Sequence, residues 1–283
     1  MKNLIVRSIT GIFFVTAIVV SFLEPIAMTA LFALVTGMTV WEYCGLINDN
    51  KGLNVNKNIS TLAGVILFLA MAVYCSGYLS SGIVFLPYLL ILVCLFIAGL
   101  YEKVSDPLED LAYTMLGQIY IALPLSMINV LAFNVDAGGY VVYNKLVPLC
   151  VFIFLWANDT GAYCFGSMLG KHKLFKSVSP NKTWEGSIGG AVVVLIAAAV
   201  IGSMNDTLST SFQMTIPQWM GLGLIVVVFG TYGDLVESRL KRILSVKDSG
   251  NILPGHGGML DRFDSSLLAM PAAVLYMFAI SAF

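Results

Sequence analysis

The chain has 283 residues, 58% hydrophobic and 11% charged, with a mean hydropathy of +0.89 and a net charge of −1. A soluble domain carries about a quarter of its residues charged, so less than half that density excludes a water-soluble globule and leaves most of the surface facing lipid. The net charge says little about partners, because in such a chain the placement of charge matters more than its sum; no nucleic-acid partner is expected.

A spanning helix needs about 20 mostly apolar residues. Nine segments qualify: 5–23, 26–47, 60–79, 82–100, 111–132, 146–166, 186–204, 217–233 and 265–283. The first follows Lys2 and Arg7 in the manner of a signal peptide, but it lacks a small-x-small cleavage site and further apolar segments follow, so a retained helix is expected. The second begins after Glu24-Pro25 and carries Glu42 beside Trp41, read as interfacial packing in preference to a lipid contact. Turn chemistry at Asn48-Asp49-Asn50-Lys51-Gly52 and Ser80-Ser81-Gly82 separates the next segments, and Asp136-Ala137-Gly138-Gly139 reads as a simple turn. The eighth segment is the shortest and runs into Gly230, Gly233 and Asp234, so it is expected to dip or stop early. The five cysteines lie in apolar stretches without a CxxC pair and are expected to be buried, reduced thiols.

Charge placement orients these segments. With nine spans and a cytoplasmic N-terminus, fourteen of the fifteen Lys and Arg fall on the inside and Lys145 alone on the outside. The expected fold is therefore all-α, a polytopic protein of about nine transmembrane helices, N-in and C-out. Residues 1–145 would form the scaffold, and 146–283 a catalytic region with cytoplasmic loops 167–185 and 234–264. Those two loops hold nine of the fifteen cations together with Asp, His and Gly, which a purely topogenic basic loop does not need.

If the eighth helix continues past Asp234, then Asp234, Ser238 and Lys241 fall on one face. A carboxylate, a hydroxyl and an ammonium in one line suit a hard cation and a polyphosphate. Gly255-His256-Gly257-Gly258 allows close backbone approach to a ligand, and Asp261 and Asp264 follow near the start of the ninth helix. Singly, each has an ordinary alternative: helix-end charge compensation for the aspartates, a hydrogen-bonded turn for His256. Together, Ser238 to Asp264 read S-x-L-K-R-x4-K-D-x-G-x2-L-P-x-H-G-G-M-x-D-R-F-D. This resembles the signature of the phosphatidate cytidylyltransferase (CDP-diacylglycerol synthase) family. Upstream, Trp156-Ala157-Asn158-Asp159 and Ser179-Pro180-Asn181-Lys182-Thr183-Trp184-Glu185-Gly186, with Gly166 and Gly170-Lys171 between them, look like a second block of the same family. A carboxylate such as Asp159 within an apolar segment is costly and marks function by default, with an interhelical hydrogen bond as the alternative.

The resemblance implies transfer of the cytidylyl group of CTP to phosphatidic acid. It implies Asp234 and Asp261 as ligands of Mg²⁺, with a second cation such as K⁺, and Lys241, Ser238 and Asp159 beside them as catalytic groups. Substrate contacts would come from Lys171, Ser179, Asn181, Lys182, Glu185, Arg242, Lys247, Asp248, His256, Gly257, Gly258, Arg262 and Asp264. It further implies a homodimer, and short loops suit a bacterial inner membrane with the site on the cytoplasmic side. Two alternatives stay open: a CTP-dependent polyprenol or dolichol kinase, and an ion-coupled transporter, which would also show an intramembrane carboxylate and glycine-broken helices.

Overall fold

The computed structural model describes residues 2–99, 101, 106–136, 138–204, 214–250, 252 and 257–281, with side chains from residue 9 onward. It is an all-α polytopic membrane protein. The helices are α1 (Lys2–Ser21), α2 (Pro25–Lys51), α3 (Lys57–Cys75), α4 (Gly82–Ala98), α5 (Pro107–Ala132), α6 (Leu146–Leu169), α7 (Trp184–Ser203), α8 (Ile216–Ile243) and α9 (Leu260–Ser281). Among the described residues, seven of these are long and apolar enough to cross a membrane; Gly82–Ala98 and the described stretch Ile9–Ser21 of α1 are shorter apolar helices.

The helix ends follow local chemistry. Proline opens α2 and α5, where a missing N–H costs nothing. Asn56 and Asp106 cap α3 and α5 by accepting the amides of Ile59 and of Leu108 and Glu109. Gly52 closes α2 with φ +67°, the left-handed conformation that glycine adopts freely. Helix α5 widens into a π turn over Gln118–Ala122, next to Pro124, which has no N–H to give the regular ladder.

Two short hairpins interrupt the helical pattern. β1 (Phe133–Val135) pairs antiparallel with β2 (Val141–Tyr143), Asn134 facing Val142. The expected turn is there: Asp136 Oδ1 accepts the amides of Gly138 (2.9 Å) and Tyr140 (2.8 Å). β3 (Lys173–Phe175) pairs with β4 (Ser179–Thr183), so the expected loop 167–185 contains a hairpin. Thr183 then caps α7 through the Gly186 amide.

Three sequence expectations are corrected. Helix α8 neither dips nor stops at Gly233: it runs unbroken to Ile243, so the first ten residues of the expected loop 234–264 are helical, and α9 already begins at Leu260. Gly230 and Gly233 serve packing, since a Cβ on Gly233 would stand 2.7 Å from the Asp264 carbonyl oxygen of α9. Small residues bring membrane helices this close. The five cysteines are free thiols, but Cys94 and Cys164 are exposed, on helix faces where a thiol behaves as a small hydrophobe.

The chain folds as two compact units, Met1–Val130 with Lys241–Phe263, and Leu131–Leu240 with Asp264–Phe283. The first is centred on fully buried aromatics, where Phe32 meets both Phe22 (5.3 Å between ring centroids) and Phe263 (6.2 Å). In the second, α6 and α7 press together on Gly161 and Gly190; a Cβ on Gly161 would approach Gly190 Cα to 2.9 Å.

Candidate functional site

The second unit carries a cleft of about 410 Å³ lined by Asn158, Asp159, Ser167, Asn181, Lys182 and Thr183, among others. Close packing of α6 on α7 sets its floor, and the β3–β4 hairpin delivers Asn181 and Lys182 to its rim. Lys182 Nζ lies 2.5 Å from Asp234 Oδ2. On the next turn of α8, Ser238 Oγ donates to Asp234 Oδ1 at 3.1 Å, the i to i+4 relation expected for one helix face. Asp264 on α9 accepts the Ser265 amide at 2.5 Å and stands within electrostatic reach of Asp234, Asp159 and Lys182. Asp159, Lys182, Asp234 and Asp264 thus share one polar region.

Asn158 is 6% exposed, and its Oδ1 has no hydrogen-bond partner; a Cβ on Gly190 would come 2.5 Å from it. Its neighbour Asp159 is exposed on the cleft. Glu185 is engaged locally: its carboxylate accepts the amides of Lys171 (3.1 Å) and His172 (3.2 Å) and meets His172 Nδ1 at 2.6 Å, which holds the turn before β3. His172 went unnoticed in the sequence.

The first unit organises Asp261. Its Oδ1 receives Lys241 Nζ at 2.7 Å, while Oδ2 accepts the amides of Ser249 and Gly258, both at 2.9 Å. Gly257, at φ +81°, makes the turn that aims the Gly258 amide, and a Cβ there would stand 2.7 Å from Asp261 Oδ2. The glycines expected to admit a ligand thus admit a carboxylate of the protein.

Behind Asp261 lies a residue that sequence reasoning undervalued. Glu42 on α2 is 7% exposed, buried rather than interfacial. Its carboxylate accepts the amides of Met259 (2.8 Å) and Leu260 (3.1 Å) and the hydroxyl of Ser249, so α2 supplies the N-terminal cap of α9. Ser249 Oγ in turn accepts the Asp261 amide at 3.3 Å. The available signal was an isolated carboxylate inside an apolar helix, which is costly unless partnered.

The structure therefore gathers Asp159, Asn181, Lys182, Asp234, Ser238 and Asp264 in one unit, and Lys241, Gly257, Gly258 and Asp261 in the other. Lys171, Arg242, Lys247, Asp248 and Arg262 are exposed, Ser179 is half-buried on β4, and His256 lies outside the described residues. For a metal, the donor chemistry fits. Asp234 and Asp261 each already face a cation in the form of a lysine ammonium. Among the described residues no group of three or more His, Cys, Asp and Glu could enclose an ion. A Mg²⁺ ion bound by one or two of these carboxylates would need water and phosphate oxygens to complete its shell.

Comparison with known proteins adds a family. The profile of the Cytidylyltransferase family matches residues 2–280. The phosphatidate cytidylyltransferase of Staphylococcus aureus (strain COL) is 51% identical over 123 residues, 44% of this chain and 45% of the relative. That of Bacillus subtilis (strain 168) is 42% identical over 167 residues, 58% and 56% of the two chains. That of Staphylococcus haemolyticus (strain JCSC1435) is 41% identical over 162 residues, 57% of each. The matched stretches span about half the length of these relatives.

Proposed function

The chain belongs to the Cytidylyltransferase family, and from that premise we propose that it transfers the cytidylyl group of CTP to phosphatidic acid, giving CDP-diacylglycerol and pyrophosphate. The observation that carries the reading is the cleft lined by Asp159 and Lys182, with Lys182 paired to Asp234 and Asp264 within electrostatic reach of all three. A phosphate monoester of a lipid is largely ionised near neutral pH, so its oxygen attacks the α-phosphorus without a strong general base, and the bond to pyrophosphate breaks. The barrier is repulsion between two anions, which positioned cations remove. This accounts for a site rich in Asp and Lys.

In this reading Lys182 and Lys241 hold phosphate oxygens, Ser238 donates a hydrogen bond to one, and Asn181 orients the substrate at the rim. Asp234 and Asp261 hold Mg²⁺, which when bound withdraws charge from the polyphosphate; a second cation such as K⁺ belongs to the same proposal. Residues 146–283 carry the chemistry and 1–145 the scaffold, Glu42 being the exception that supports Asp261. Nine spans with N-in and C-out orientation would open the site to the cytoplasm of a bacterial inner membrane, where CTP is available, and a homodimer would be read from the particle mass in detergent.

The test is product analysis with labelled CTP and phosphatidic acid in detergent with Mg²⁺. The expected products are CDP-diacylglycerol and pyrophosphate in equal amounts. Release of CDP with a phosphorylated polyprenol would establish a kinase instead, and ion flux in vesicles without nucleotide turnover would establish a transporter.

A further inference from the structure

The polar cleft continues into an apolar groove. Ser187 on α7 and Thr231 on α8 line both. Beyond them the groove encloses about 370 Å³ between Trp184, Ile188 and Ala191 of α7 and Leu224, Val227 and Val228 of α8. Its shape follows from where small residues let the helices touch. Away from the cleft the two are in close contact: a Cβ on Gly202 would stand 3.0 Å from Ile216 Cα, and one on Gly223 would stand 3.0 Å from Val194 Cγ1. On the other side lies the groove, which shares Ser187 and Thr231 with the polar cleft. At that end Phe175, Tyr232 and Leu235 carry the apolar lining onward into a hollow that ends at Arg239.

A polar cleft that holds the Lys182 ammonium, joined through two hydroxyls to an apolar slot, matches one kind of molecule: an acylated glycerol phosphate. Resting on the proposed transfer reaction, we propose that the α7–α8 groove seats one acyl chain of the lipid substrate, with the glycerol esters at Ser187 and Thr231 and the phosphate beside Lys182. The groove then decides which chains are accepted. An ordinary lipid-facing surface would show no such preference for the lipid whose head occupies the cleft.

The experiment has two arms. In the first, phosphatidic acid with a diazirine near one chain end is irradiated with the full-length protein in mixed micelles, a readout that needs no turnover. Labelling is expected on Trp184–Ala191 and Leu224–Val228 and should fall with excess phosphatidic acid but not with phosphatidylcholine. Equal competition by phosphatidylcholine, or labelling elsewhere, overturns the proposal whether or not the protein transfers cytidylyl groups. In the second arm, Ala191→Trp fills the slot and should displace on the order of two methylenes. The KM for dipalmitoyl phosphatidic acid is then expected to rise about tenfold, and that for the dihexanoyl substrate by much less, with the KM for CTP unchanged. Ile188→Ala, which widens the slot, should favour branched chains. Equal effects on short and long chains in both variants would overturn the assignment, whereas an inactive wild type would overturn the transfer reaction alone.

Discussion

The two aspartates that the family resemblance singles out are held in different ways. Asp261 is fixed by backbone: two amides and a lysine occupy its oxygens, and Glu42 fixes the same turn through two more amides. Asp234 is held by side chains, Ser238 and Lys182, beside an open cleft. Backbone partners cannot leave without unfolding the turn, while a serine and a lysine can exchange to a phosphate or a metal. One region is therefore preset, and the other is adjustable.

Breaking the adjustable region should cost activity and little else. Asp234→Asn keeps an acceptor for Ser238 but loses the charge, and transfer is expected to fall about 10²–10³-fold. The melting temperature in detergent should be unchanged, and omitting Mg²⁺ should reproduce the loss in the wild type. Full activity in either experiment would remove Asp234 from the chemistry.

Breaking the preset region should cost stability first. Glu42→Ala leaves the Met259 and Leu260 amides and the Ser249 hydroxyl unsatisfied in a buried place, a loss of about 3 kcal/mol. It should appear as a lower midpoint in thermal unfolding together with lost transfer. Glu42→Gln, which retains one acceptor oxygen, should recover part of both. A melting temperature equal to wild type would show that the clasp is not needed.

The lysines sharpen the contrast. Lys241 and Asp261 expose 14% and 10% of their side chains, against 27% each for Lys182 and Asp234. Removing the partner from the drier pair costs more. Lys241→Met should therefore destabilise by about 2 kcal/mol, and Lys182→Met by under about 1 kcal/mol, although both should raise the KM for CTP or phosphatidic acid. An effect of similar size is expected at Gly257→Ala, where the left-handed backbone penalises a side chain by about 1 kcal/mol. Because its Cβ would press on Asp261, kcat should drop out of proportion to the stability change. A purely structural role would leave kcat untouched.

Much of this architecture is legible in the chain because its causes are local. Apolar runs of spanning length become helices, Asn56, Asp106 and Asp136 cap or turn the residues beside them, and the i to i+4 spacing alone predicts that Ser238 meets Asp234. Each depends on interactions within a turn or two, whose geometry is the same in any fold. The partners of Glu42 lie more than 200 residues away, Lys182 and Asp234 are 52 apart, and Gly233 faces α9 instead of breaking α8. No periodicity encodes those pairings. A buried charge must find some partner, but only the packing of helices in three dimensions selects which one. The sequence by itself therefore determined a membrane-spanning helical chain and pointed to residues 156–186 and 233–264 as the place proposed for its chemistry. The tertiary structure decided that Asp261 is preset by backbone, that Asp234 stays adjustable, and that an apolar groove between α7 and α8 adjoins the polar cleft.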